Sequence, residues 1–277
     1  MGRQVHVVSR ARAASAALVA AMAAAIALAC DGAEPDGEAI HAAGTQPASV
    51  PESGAQDGGI ESAQGNAADA AFDLVLTEVR REGENLVFVE RVSGRAGASV
   101  PTPVGKMAGS RVFSYVWPVN VDPSVVGFEG GTGTLALAAT AHPDFDDTPL
   151  YDEDGDGDKT NDGRLWHSHW VVLVPDEQCG PGALKVRDIP EGTKPRLPPT
   201  WPEIPIFIDS PGYPPELTGE EIRVAVPLRS VGFPETFQYD GVTAALRVNA
   251  SVHDPLLCVT DVFDVASGDL SLPGQVR

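Results

Sequence analysis

From Phe72 onward the chain is written in short runs where apolar and polar residues alternate. "FDLVLTEV" (Phe72 to Val79) and "NLVFVERV" (Asn85 to Val92) flank the turn-like "RREGE". "SRVFSYVW", "GTLALAATA", "RLWHSHWVVLV", "IPIFI", "IRVAVPL", "VTAALRVNASV" and "LLCVTDVFDVA" follow, separated by segments rich in Pro, Gly and Asp. A two-residue period places alternate side chains on opposite faces of a strand, and no helical stripe of useful length competes with it. About nine strands at this spacing predict an all-β sandwich, and roughly 200 residues suit one such domain. The run "IPEGTKPRLPPTWPEIP" (Ile189 to Pro205) is too proline-rich for regular structure and is expected to be an extended surface loop.

The region before Phe72 has a different texture. Asp31 to Ala71 has no aromatic residue, no Lys and no Arg, and only Ile40, Val50 and Ile60 as larger apolar residues. Such a stretch buries too little surface to offset the entropy of ordering, so residues 30–71 are expected to form a disordered acidic tether ahead of a sandwich domain at 72–277. Residues 1–29 read as a signal peptide: Arg3, Arg10 and Arg12 precede an alanine-rich apolar stretch. It ends "LAC", Leu28-Ala29-Cys30, which resembles the lipobox of bacterial lipoproteins, although Ala27 stands where a larger apolar residue is usual. The resemblance implies lipidation at Cys30 and membrane attachment through the lipid. Ala27-Leu28-Ala29 also fits an ordinary signal-peptidase site that releases a soluble protein.

Charge and cysteines narrow the compartment and the partners. The 277 residues carry a formal net charge of −20, which repels phosphate backbones and excludes nucleic acid as a natural partner. Of the three cysteines, lipidated Cys30 leaves Cys179 and Cys258 as an even pair. In an oxidising, exported setting that pair is expected to be a disulfide.

Candidate chemistry concentrates in "YDEDGDGDKTNDGRLWHSHW" (Tyr151 to Trp170). Asp152, Asp154 and Asp156 alternate ahead of Gly157 and Asp158, and hard cations take six to eight oxygens of this kind. The D-x-D-x-D-G pattern resembles the opening of an EF-hand calcium loop. Gly163 stands where that loop places its closing glutamate, and the flanks read as strands. The resemblance therefore implies an EF-like calcium loop between strands, with Asp152, Asp154, Asp156, Asp158 and Asp162 as ligands. Upstream, Asp144, Asp146 and Asp147 offer further carboxylates for an outer shell or a weaker second site.

His167 and His169 lie two apart on a predicted strand and so face one way. Together with His142 or His253, each following a predicted strand, they are candidate ligands for zinc, copper or iron. Ser168 between them points to the opposite face. There is no G-x-S-x-G elbow, phosphate-cradling glycine loop or C-x-x-C to favour catalysis. The first functional expectation is therefore an exported, lipid-anchored, calcium-binding module that holds a protein or polysaccharide at the cell envelope. The alternative is a periplasmic transition-metal protein, or a metal-dependent enzyme, built on the His-x-His strand.

Overall fold

A computed structural model describes residues 58–250 and 255–276, and these are all-β. The leader, Cys30, most of the expected tether and His253 lie outside the described residues. A smaller antiparallel sheet has the order β1 (Ile60–Glu61), β2 (Leu74–Glu82), β3 (Asn85–Val92), β10 (Glu221–Pro227), β9 (Pro215–Thr218). The larger sheet runs from β12 (Val242–Val248) through β13 (Leu257–Val265), β7 (Leu184–Val186), β6 (His167–Pro175) and β5 (Thr134–Ala141) to β4 (Arg111–Val119). It then continues to β11 (Phe237–Tyr239) and β14 (Gly274–Val276), with β8 (Ile208–Asp209) on the edge of β6.

β12 also pairs with β4, from Val242↔Val116 to Arg247↔Arg111, so six of these strands close into a barrel-like ring. Register shifts in the β12–β13 ladder mark bulges, which bend a strand and increase its twist where the sheet must curl.

This double duty explains why β4, β5 and β6 are buried on both faces. One face (Tyr115, Trp117, Leu135, Leu137, Trp170, Val172) packs on Leu86, Phe88, Ile222 and Val224 of the smaller sheet. The other (Val112, Val116, Ala136, Ala138, Val171) lines the barrel with Ala244 and Leu246. Strands covered on both sides read as nearly continuous apolar runs, as "TLALAATA" does. β10, with one covered face, keeps strict alternation.

The seam of the ring is β7–β13, held by a single pairing, Cys258↔Lys185. The Cys179–Cys258 disulfide, with Cα atoms 5.4 Å apart, fastens that seam as the cysteine parity predicts. Lys185 adds ion pairs to Asp176 at 2.6 Å and Asp188 at 2.7 Å. A disulfide fits an oxidising, exported environment, and no helix of the described residues is long and apolar enough to cross a membrane.

The boundary of the ordered domain needs correction. Residues 58–71 are not a disordered tether: Ile60 is buried in β1, which pairs with β2. The Asp73 carboxylate accepts N–H bonds from Gly65, Asn66 and Ala67, and the Tyr239 hydroxyl donates to the Gly58 carbonyl. Low hydrophobicity suggested disorder, but hydrogen bonds to the folded domain order this segment. The short strands β1, β7, β9, β11 and β14 also escaped the periodicity, since two to four residues are too few to show one. Ile189 to Pro205 is irregular as expected, yet Ile189, Leu197, Trp201 and Ile204 pack against the cores.

Candidate metal centre

The centre is built where β5 ends and β6 begins. The β5–β6 register sets Thr140 opposite His167 and Ala138 opposite His169, so both histidines face into the barrel end. His142 continues the alternation one residue beyond β5. Its backbone N–H donates to the Gly163 carbonyl at 2.6 Å, tying it to the segment that leads into β6. That closeness demands glycine, because a Cβ at Gly163 would lie 1.8 Å from the Phe145 carbonyl oxygen. In the turn after His142, the Asp146 carboxylate accepts from Thr148 N–H at 2.8 Å and from Asp162 N–H at 2.9 Å. Ser210 Oγ donates to the Asp147 carbonyl at 2.7 Å. The turn therefore carries the Asp147 side chain to the three imidazoles.

Asp147 Oδ1 stands 3.2 Å from Nε2 of each of His142, His167 and His169. Nε2 of His142 and His167 are 2.9 Å apart, and the four ligand atoms all lie within 4.8 Å of one another. All four residues are buried. The opposite ring nitrogens are engaged by backbone carbonyls. His142 Nδ1 reaches Phe145 O at 3.0 Å, His167 Nδ1 reaches Leu165 O at 2.8 Å, and His169 Nδ1 reaches Asp209 O at 3.2 Å. A carbonyl only accepts, so each Nδ1 carries the proton and each Nε2 turns a lone pair inward. His142 is further fixed by stacking on the Phe145 ring, centroids 4.0 Å apart.

Three imidazole lone pairs thus surround a carboxylate oxygen. Burial pushes the Asp147 carboxyl upward, and positive charge or donated protons from His169, His142 and His167 would draw it well below its ordinary value. With the Nε2 lone pairs turned inward, that positive charge falls to a bound cation. Asp147 Oδ1 and His169 Nε2 have no hydrogen-bond donor. Thr140 Oγ1 lies 3.2 Å from His167 Nε2 and relieves only that ring. A proton on one imidazole would satisfy one contact and leave the others opposed. A divalent cation satisfies all four.

The spacing suits one. In a tetrahedron with metal–ligand bonds of about 2.0 Å, ligand atoms stand about 3.3 Å apart. The 3.2 Å edges to Asp147 match that figure closely. Imidazoles whose other nitrogen donates to a carbonyl are the usual supported form of a histidine ligand. His142, Asp147, His167 and His169 can therefore hold a metal ion.

No family model, curated protein or solved structure matches the chain. The reading of the centre therefore rests on its own geometry.

The other sequence candidates fall in different places. His142, His167 and His169 come together, while His253 lies outside the described residues. Ser168 points to the other face as expected, donating to the Tyr213 carbonyl. Asp152, Asp154 and Asp156 bring carboxylate oxygens within 4.8 Å of one another on the partly exposed loop. There Asp152 accepts from Gly155 and Gly157 N–H, and Asp154 from Asp156 N–H. Asp158 and Asp162 lie outside that group. Asp158 caps Thr160, and buried Asp162 accepts from Glu153 N–H while its Oδ1 has no partner.

Of the upstream acids, Asp144 accepts from Val104 and Gly105 N–H, and Asp146 braces the turn. Asp147 belongs with the histidines. Sequence reasoning placed it beside the acidic loop. The available signal was its position in the same turn as a histidine that ends a strand.

Proposed function

We propose that this is an exported transition-metal-binding β-domain in which a single zinc ion, held by His142, Asp147, His167 and His169, closes one end of the barrel. The observation that carries this reading is the approach of three Nε2 atoms to one Asp147 oxygen at 3.2 Å with no donor between them. Four protein ligands fill a tetrahedral shell, which is the habit of structural rather than catalytic zinc. Zinc imposes no d-electron geometry of its own, so it suits a shape set by the strands. Copper and iron also accept imidazole and are the competing ions. The leader and Cys30 extend the proposal to an envelope protein tethered through lipid.

Elemental analysis of untagged protein purified without chelator tests the assignment. About one zinc per chain is expected, with Asp147→Ala and His169→Ala each weakening binding more than about 100-fold, beyond the usual cost of losing an outer-shell partner. Stoichiometric copper or iron would replace zinc in this reading. A wild-type protein that takes up none of the three would end it.

A second, weaker site is proposed on the Asp152–Asp154–Asp156 loop, whose exposed carboxylates suit calcium. Millimolar calcium should then raise the melting temperature more than magnesium does. Asp154→Ala and Asp156→Ala should remove that rise and leave the zinc content unchanged. An equal response to both ions makes the loop an acidic turn.

A further inference from the structure

The barrel interior holds a partly open cavity of about 130 Å³ that reaches the metal centre, with the exposed side chains of Met107, Val262 and Leu270 in its lining. His142, Asp147 and His169 form its polar end. Beyond them the walls are apolar side chains such as Val116, Ala138, Val171, Ile206, Ala244 and Leu246, with only Ser114 and Thr140 interrupting. Ser114 Oγ already donates to the Ala244 carbonyl at 3.0 Å, and Thr140 lies at the ligand end beside His167. A buried water needs two to four polar partners, and the apolar length of the cavity does not supply them. An apolar cavity of about 150 Å³ stays dry and accepts benzene or xenon. The volume here falls just below that.

Small residues hold the space open. Ala138 and Ala244 line it where larger apolar side chains would fill a six-stranded ring. Interiors are ordinarily packed to crystal-like density, so a void of this size beside a polar centre has a use.

We propose that the barrel binds a small neutral apolar molecule, between xenon and benzene in size, seated against His142, Asp147 and His169. The apolar walls give it affinity by burial, and along them no free donor or acceptor replaces the hydrogen bonds to water that a polar or charged competitor would lose. Its position beside an ion rests on the zinc reading; the cavity does not.

Benzene and xenon are the probes, used on untagged protein whose metal content is measured in the same samples. Benzene should raise the melting temperature saturably, and dissolved xenon should give a bound signal in its NMR spectrum. Ala244→Leu and Val116→Phe add volume to walls that do not ligate the ion. Each should abolish both responses while metal per chain stays unchanged, and near-ultraviolet circular dichroism checks that the variants fold. With cobalt(II) in the centre, benzene should shift the visible absorption bands.

Wild-type protein that binds neither probe overturns the proposal, as do folded filling variants that bind both undiminished. Cobalt bands indifferent to bound benzene overturn the placement against the centre. Saturable benzene binding by protein that takes up no transition metal supports the apolar site and removes the zinc reading, so the two fail separately.

Discussion

Asp147 and Glu90 are both buried carboxyls, and their surroundings send them opposite ways. Burial raises the Asp147 carboxyl, and positive charge or donated protons at the three imidazole positions draw it well below its ordinary value. Glu90 lies on β3 opposite Thr77 of β2. Burial holds its carboxyl well above the ordinary value, the Val242 N–H pulls the other way, and Asp240 and Asp264 raise it further. Glu90 therefore holds its proton to a higher pH in the fold than in the unfolded chain. A raised folded-state value means full stability below the unfolded value of about 4.5 and a progressive loss as pH climbs toward the folded one. Glu90→Gln has no such proton to lose. Its stability relative to wild type should improve as pH rises above about 4.5 in urea unfolding. Each 1 kcal/mol recovered should raise the melting temperature by about 2–4 °C. A difference that stays flat with pH would show that Glu90 does not carry this penalty.

Among the elements, β6 supplies two of the four residues of the proposed centre, and β7 is one of the short strands. The alternation of His167, Ser168 and His169 sends two ligands inward and one hydroxyl outward on a strand that also anchors the inter-sheet core through Trp170 and Val172. β7 contributes only Leu184–Val186, and its link to β13 depends on one residue pair beside the disulfide. The disulfide closes a loop of sequence separation 79, for which the chain-entropy model gives about 4.5 kcal/mol. The Cys179→Ser, Cys258→Ser double variant should therefore unfold at a clearly lower urea concentration. Hydrogen exchange should accelerate first in β7 and β13. Uniform acceleration across the larger sheet would place the weak point elsewhere.

For the molecule as a whole, the centre ties together the end of β5, the turn bearing Asp147 and the start of β6. An ion bound only by the folded state stabilises it by mass action, about 2.7 kcal/mol when its free concentration is a hundredfold above the dissociation constant. For a domain of this size that corresponds to roughly 5–10 °C. Dialysis against EDTA should lower the melting temperature by about that much, and zinc should restore it. His169→Ala should start low and ignore both treatments. Chelation that leaves the wild type unmoved would show the barrel end closing without an ion.

The sequence by itself determined the features that depend on neighbours along the chain. Period-two patterning located the long strands, because side-chain alternation is a property of the extended backbone. It put His167 and His169 on one face for the same reason, and cysteine parity paired Cys179 with Cys258. The tertiary structure decided what depends on register and closure. The pairing of β12 with β4 turned a sheet into a barrel and gave it an interior. The β5–β6 register chose His142 as the third histidine, and a turn held by Asp146 and Gly163 delivered Asp147 instead of its acidic neighbours. Adjacent aspartates look alike in sequence. They differ because one lies where three imidazole lone pairs converge and the others face backbone N–H groups, an outcome set by contacts between strands far apart in the chain.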